Sequence, residues 1–84
     1  MKLSAAIDLH SHNSLLVVMN EQDQVMYRRL LGNVLSVILQ ALAPFQKERE
    51  GIVVESTYNW YWLVDGLREA GYRVHLANTA ALQQ

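Results

Sequence analysis

Eighty-four residues with 51% hydrophobic and 18% charged side chains and a net charge of −1 have the balance of a folded domain, not of a disordered chain. At this size about 60–65% of the unfolded surface can be buried, enough for one modest core and no second domain. The lack of cysteine excludes disulfides and thiolate metal sites. No apolar run is longer than that from Leu15 to Met19, and no signal-peptide core follows Met1-Lys2, so the expectation is a cytoplasmic protein with no membrane contact.

The charge also bears on nucleic acid. A domain that grips DNA unaided carries a basic stripe. Here the seven basic residues are scattered, with Arg28-Arg29 the only adjacent pair. If nucleic acid is the substrate, most of the phosphate grip is expected from chain beyond Gln84 or from a second subunit.

Leu3 to Asp8 reads as a first strand, an apolar run ending in an acid ahead of the polar loop Leu9-His10-Ser11-His12-Asn13. Ser14 to Met19 reads as a second, apolar enough to be covered on both faces. After the polar turn Asn20-Glu21-Gln22-Asp23, the stretch Gln24 to Leu31 alternates imperfectly, as a strand near a sheet edge does. Short connections make the three an antiparallel meander.

Gly32-Asn33 punctuates the chain, with Asn33 a candidate N-cap. Val34, Leu35, Ile38, Ala41, Leu42 and Phe45 then recur at helical spacing, and Pro44, having no amide hydrogen to donate, ends or kinks that helix. Gly51-Ile52-Val53-Val54-Glu55-Ser56-Thr57 is a buried strand that delivers a carboxylate at its C-terminal end, with Ser56 and Thr57 as candidate caps of the next helix. Reached by a crossover helix, this strand is expected to lie parallel in the sheet. A second helix from about Asn59 to Ala70 aligns Trp60, Val64 and Leu67, and Gly71 suits the left-handed position after a helix end. Tyr72 to Ala77 is a fifth strand, and Asn78-Thr79 opens a further helix cut off at Gln84.

Three antiparallel strands followed by two helix-strand units predict an α/β domain over residues 1–84 with the ribonuclease H-like, RuvC-like topology, C-terminally truncated. Its mixed five-stranded sheet has strands one to three antiparallel and two crossover helices. In that topology the first and fourth strands are parallel neighbours, and the chain leaves their C-terminal ends in different directions, where ligands favour open α/β sheets. Asp8 and Glu55 both fall there.

Two adjacent carboxylates repel unless a cation or a shared proton neutralises them. Oxygen ligands suit Mg²⁺ or Mn²⁺, which bind one or two carboxylates and complete their shell with water and substrate phosphate. A pair of such ions roughly 4 Å apart can serve both the attacking and the leaving oxygen of a phosphodiester, and this takes more than two acids. Asp65 and Glu69 do not supply them, because the second helix runs away from the strand ends and carries Asp65 about 9 Å beyond its start. As plain strand-end polar residues, Asp8 and Glu55 need no metal at all, and pattern alone leaves both readings open. His10 and His12 read as parts of a polar connection, His75 as a structural or surface histidine. Of Tyr58, Trp60, Tyr61 and Trp62, Trp60 belongs to the buried stripe, and the others are divided between packing and base stacking.

Ala6-Ile7-Asp8-Leu9-His10-Ser11, Val53-Val54-Glu55-Ser56-Thr57, the run Thr57-Tyr58-Asn59-Trp60-Tyr61-Trp62-Leu63-Val64-Asp65-Gly66-Leu67 and Gly71-Tyr72-Arg73-Val74 together resemble the DEDD transposases of bacterial insertion sequences. These are recombinases with a RuvC-like N-terminal domain, some directed by a structured bridge RNA. The resemblance covers nearly the whole chain. It implies Mg²⁺-dependent DNA strand cleavage and exchange, with four catalytic acids of which Asp8 and Glu55 match the first two, and partners that include DNA, in some members a guide RNA, and further copies of the enzyme. The later aspartates and a serine-bearing domain would lie past Gln84, so the chain by itself is expected to be inactive.

Two other readings compete. A non-catalytic remnant would associate with a full-length recombinase. An actin- or sugar-kinase-like ATPase shares the fold and opens with a strand ending in aspartate, but the loop after that strand is glycine-rich there and has no glycine here.

Overall fold

The structure, a computed structural model, describes residues 2–46, 49–56 and 59–77, with Arg49 and Glu50 described by backbone only. The strands are β1 (Leu3–Leu9), β2 (Asn13–Met19), β3 (Val25–Gly32), β4 (Arg49–Glu55) and β5 (Val74–Ala77), and the helices are α1 (Leu35–Leu42) and α2 (Tyr61–Glu69). They form one sheet in the order β3-β2-β1-β4-β5. The β1-β2 and β2-β3 pairs are antiparallel, while β1-β4 and β4-β5 are parallel.

Both crossovers, β3 to β4 through α1 and β4 to β5 through α2, advance across the sheet in the same direction. The right-handed rule for such connections therefore puts both helices on one face. Burial follows that division. Leu3, Ala5, Ile7 and Leu9 of β1, Leu16 and Val18 of β2, and Ile52 and Val54 of β4 point to the helices, where they pack with Ile38, Leu42, Leu63, Val64 and Leu67. The expectation that β2 is covered on both faces is thereby corrected. Leu15, Val17 and Met19 are only half-buried, and no helix among the described residues lies over them. The apolar run signalled a central strand correctly, but it does not report how many layers flank the sheet.

Pro44 acts as expected. The α-helix stops at Leu42, and Ala43–Phe45 continue as one 3-10 turn with the proline in its middle. The helices approach closely at Gly66, which is buried against Leu35 of α1. Beyond α2, Gly71 takes φ +94°. Its amide donates to the Arg68 carbonyl over 3.0 Å and that of Tyr72 to the Leu67 carbonyl over 3.0 Å, the paired bonds of a Schellman motif, with Tyr72 tucked into the core beyond it. In the β2-β3 turn, Asn20 Oδ1 accepts from the amides of Gln22 and Gln24, each at 2.9 Å.

Two capping expectations fail. The N-cap of α1 is Val34 and that of α2 is Trp60, neither with a side-chain cap bond. Ser56 instead extends β4 as a buried residue whose amide donates to the Ala77 carbonyl over 3.2 Å. Thr57, Tyr58 and the helix expected from Asn78 lie outside the described residues.

Candidate functional site

In the parallel ladder between β1 and β4, Asp8 stands directly opposite Glu55, one register step beyond the buried pair Ile7 and Val54. Side chains alternate along a strand, so with Ile7 and Val54 turned to the helices, both acids point to the open face, and both are exposed. Adjacent strands lie about 4.8 Å apart, which puts the two carboxylates within reach of one cation. The register extends the row to Leu15, opposite Asp8 on β2, and to Leu30 on β3. The chain leaves β1 towards β2 on one side and β4 towards α2 and β5 on the other. The acids therefore sit at the point of diverging connections that the topology predicts.

The loop after Asp8 contributes more than sequence reasoning assigned to it. His10 Nε2 lies 3.1 Å from Asp8 Oδ2, with half or more of each side chain exposed. The contact is a hydrogen bond with a neutral imidazole or an ion pair with a protonated one, and at this exposure it is worth less than about 1 kcal/mol. The contact occupies one carboxylate oxygen, Oδ2, and does not involve the other.

His10 is itself held. Its amide donates to the Asn13 carbonyl over 2.9 Å, and its carbonyl accepts from Asn33 Nδ2 over 2.7 Å. Asn33 Oδ1 accepts in turn from the hydroxyl of fully buried Ser14 over 2.5 Å. Asn33, expected to cap α1, thus ties the β3-α1 junction to the β1-β2 loop. His12 turns away to Ser11, whose hydroxyl is 2.9 Å from Nδ1. A histidine two residues after an acid on an extended segment shares its side of the chain, and that was the available signal for His10.

The donor chemistry fits a hydrated divalent cation: two adjacent carboxylates open to solvent suit Mg²⁺ or Mn²⁺, which keep water and take substrate phosphate. Among the described residues no group of three or more His, Asp or Glu side chains converges as a metal cage. Asp65 and Glu69 are exposed on α2, away from the pair, as expected. His75 is exposed on the open face beside Val53. Trp60 packs partly on the core, with its ring 4.2 Å from that of Tyr61. Trp62 is half-buried and donates from Nε1 to the Asn59 carbonyl over 3.1 Å, while Tyr61 is 62% exposed.

No protein-family model and no curated protein matches the sequence. Solved structures match the fold. RuvC of T. thermophilus, in a complex with a Holliday junction substrate, is similar with a TM-score of 0.70 at 14% identity, over 100% of this chain and 69% of that one. The chain has the RuvC-like α/β fold. Two structures of the Ppx/GppA enzyme of Aquifex aeolicus, one described as a phosphatase, are similar with TM-scores of 0.54 and 0.52 at 16% and 17% identity, covering 93% of this chain and 36% of those. The RuvC-like sheet expected from the order of strands and helices is thus borne out. Among the described residues no helix is long and apolar enough to cross a membrane.

Proposed function

We propose that this chain is the N-terminal catalytic part of a metal-dependent DNA transposase or recombinase of the DEDD type, acting on DNA in the cytoplasm. The observation that carries the reading is the register pairing of Asp8 with Glu55 at the diverging ends of the two central parallel strands. The likeness to RuvC supports it, as does the resemblance of the acid-bearing segments to that transposase family.

In this reading Asp8 and Glu55 are the residues that would hold Mg²⁺ or Mn²⁺. An ion held there would supply Lewis-acid chemistry at a phosphodiester. The chain's own contribution is placement. The ladder sets Asp8 and Glu55 side by side on neighbouring strands, His10 lies within hydrogen-bond distance of Asp8, and the open sheet face leaves room for a DNA strand above them. Two acids are fewer than a two-ion reaction needs, so the 84-residue chain alone is expected not to cleave DNA. Further acids, a guide RNA and additional copies of the enzyme belong to the finer proposal.

A nuclease assay on a labelled DNA duplex with Mg²⁺ or Mn²⁺ tests the first part. The expected result is no cleavage by the chain alone and metal-dependent cleavage by a longer form that Asp8→Asn or Glu55→Gln abolishes. Cleavage that survives both substitutions would contradict the assignment. The ATPase reading is disfavoured by the Leu9–Asn13 connection, which is closed by the 2.9 Å bond from His10 to Asn13 and has no glycine to admit a phosphate to the backbone.

A further inference from the structure

β3 ends the sheet on one side, and no strand among the described residues pairs with its outer edge. In an antiparallel pair every other residue turns its amide and carbonyl away from the partner, so alternate residues of β3 offer a donor and an acceptor outward. The register with β2 divides the side chains of β3 between two faces. Tyr27, Arg29 and Leu31 stand opposite buried Val18, Leu16 and Ser14 on the helix side, while Arg28 and Leu30 stand opposite Val17 and Leu15 on the open side. On the helix side a cleft of about 340 Å³ has Tyr27, Arg29 and Leu31 of β3 facing Val37 and Ala41 of α1 and Phe45 of the 3-10 turn. The rings of Tyr27 and Phe45 meet there, with centroids 5.3 Å apart. On the open side Leu30 is 60% exposed. No acid lines the cleft, and among the described residues neither Arg28 nor Arg29 makes an ion pair or a side-chain hydrogen bond.

We infer that β3 is a docking edge for an extended segment of a partner protein, one with two successive acidic residues flanked by apolar ones, which adds to the sheet as a further strand. A main chain laid along β3 takes up its outward amides and carbonyls. Side chains of the added strand alternate between faces with the same period of two as those of β3. One acid therefore meets Arg28 on the open face, and the next meets Arg29 on the helix face. The flanking apolar residues fall beside Tyr27 at the cleft and beside Leu30 on the open side. A nucleic-acid backbone has no such alternation, and a row of phosphates along one face of the sheet reaches one guanidinium and misses the other. The 84 residues contain no two adjacent acids, so a second copy does not carry the matching segment within them. Charges on an open edge deter neutral or basic strands, and the same two arginines admit an acidic one, which makes the edge selective. Neither Asp8 nor Glu55 takes part.

The test uses a fluorescein-labelled peptide of valine, leucine, two glutamates, leucine and valine, which reads the same in either strand direction. Binding is followed by anisotropy, and the β3 amides by hydrogen exchange. The parent chain is expected to bind saturably, with slower exchange at alternate residues of β3. Arg28→Gln and Arg29→Gln are each expected to weaken binding about threefold, the order of one exposed ion pair. Together they are expected to weaken it about tenfold, because charges on opposite faces act independently. Arg73→Gln removes the same charge beside β5, the opposite edge of the sheet, and is expected to leave affinity unchanged. The peptide with glutamine for both glutamates is expected to bind about tenfold more weakly and to be indifferent to the arginine substitutions. Amide NMR spectra confirm that the variants are folded. No saturable binding by the parent, an equal loss in Arg73→Gln, or unchanged exchange of the β3 amides in the complex would each overturn the inference. So would self-association that protects the same amides without peptide, which gives the edge to a second copy, or displacement of the peptide by a single-stranded oligonucleotide of equal charge, which gives it to nucleic acid.

Discussion

Asn33 Nδ2 donates to the carbonyl oxygen of His10 over 2.7 Å, across 23 residues of chain, while its Oδ1 takes the hydroxyl proton of buried Ser14. One exposed loop beside the candidate site is thereby tied to the interior of β2. Asn33→Ala leaves a fully buried hydroxyl without its acceptor, a loss of about 1–3 kcal/mol. In a domain of this size each kcal/mol lowers the melting temperature by roughly 4–8 °C. Asn33→Asp keeps an acceptor for Ser14 and loses the donor to His10, so it is expected to be milder in thermal melts while shifting the His10 ring signals as far as Asn33→Ala does. Equal melting temperatures for Asn33→Ala and the parent would show that the clamp carries no stability.

The contact between the helices gives a prediction whose sign depends on a partner. A methyl group at Gly66 would overlap Leu35 Cδ2 and stand 2.8 Å from Cδ1. Overpacking of this kind costs about 1–3 kcal/mol, against a helix-propensity gain of about 1 kcal/mol on replacing glycine by alanine. Gly66→Ala is therefore expected to destabilise the parent and to stabilise a Leu35→Ala background by up to about 1 kcal/mol. Denaturant titration of the four proteins reads the coupling, and the same effect in both backgrounds would contradict the contact.

Two glycines on the same sheet scaffold should respond oppositely. Gly71 has φ +94° with open space around it, so Gly71→Ala loses about 1–2 kcal/mol to the left-handed conformation alone. Gly32 also has nothing within 4 Å and has no positive φ. Gly32→Ala is expected to be neutral or to stabilise by roughly 0.4–1 kcal/mol through the unfolded chain. Chemical denaturation at fixed temperature compares the two, and a larger loss at Gly32 would refute the backbone assignment.

Features of the sequence that repeat over a few residues were legible. The apolar runs into Asp8 and Glu55 located β1 and β4, the helical spacing from Val34 located α1, and Gly71 announced the end of α2. Asp8 facing Glu55 was legible too, because a crossover connection makes their strands parallel. Relationships across long separations were not legible. Asn33 has the side chain of a helix cap, and nothing near it in sequence says that its partners are His10 and Ser14. Leu15, Val17 and Met19 look like residues of a strand covered twice, because hydrophobicity registers an apolar neighbour without saying that both crossovers turn to one side. Gly66 reads as a weak point in a helix until Leu35 is brought against it.

The measurement closest to the central claim is Mn²⁺ titration monitored by amide NMR on the parent chain and on Asp8→Asn and Glu55→Gln. The pairing of these two carboxylates predicts that signals around residues 8 and 55 broaden first and together, and that either substitution removes the selectivity at both positions. Broadening spread evenly over the chain, or selective broadening near Asp8 that persists in Glu55→Gln, would contradict a shared metal site.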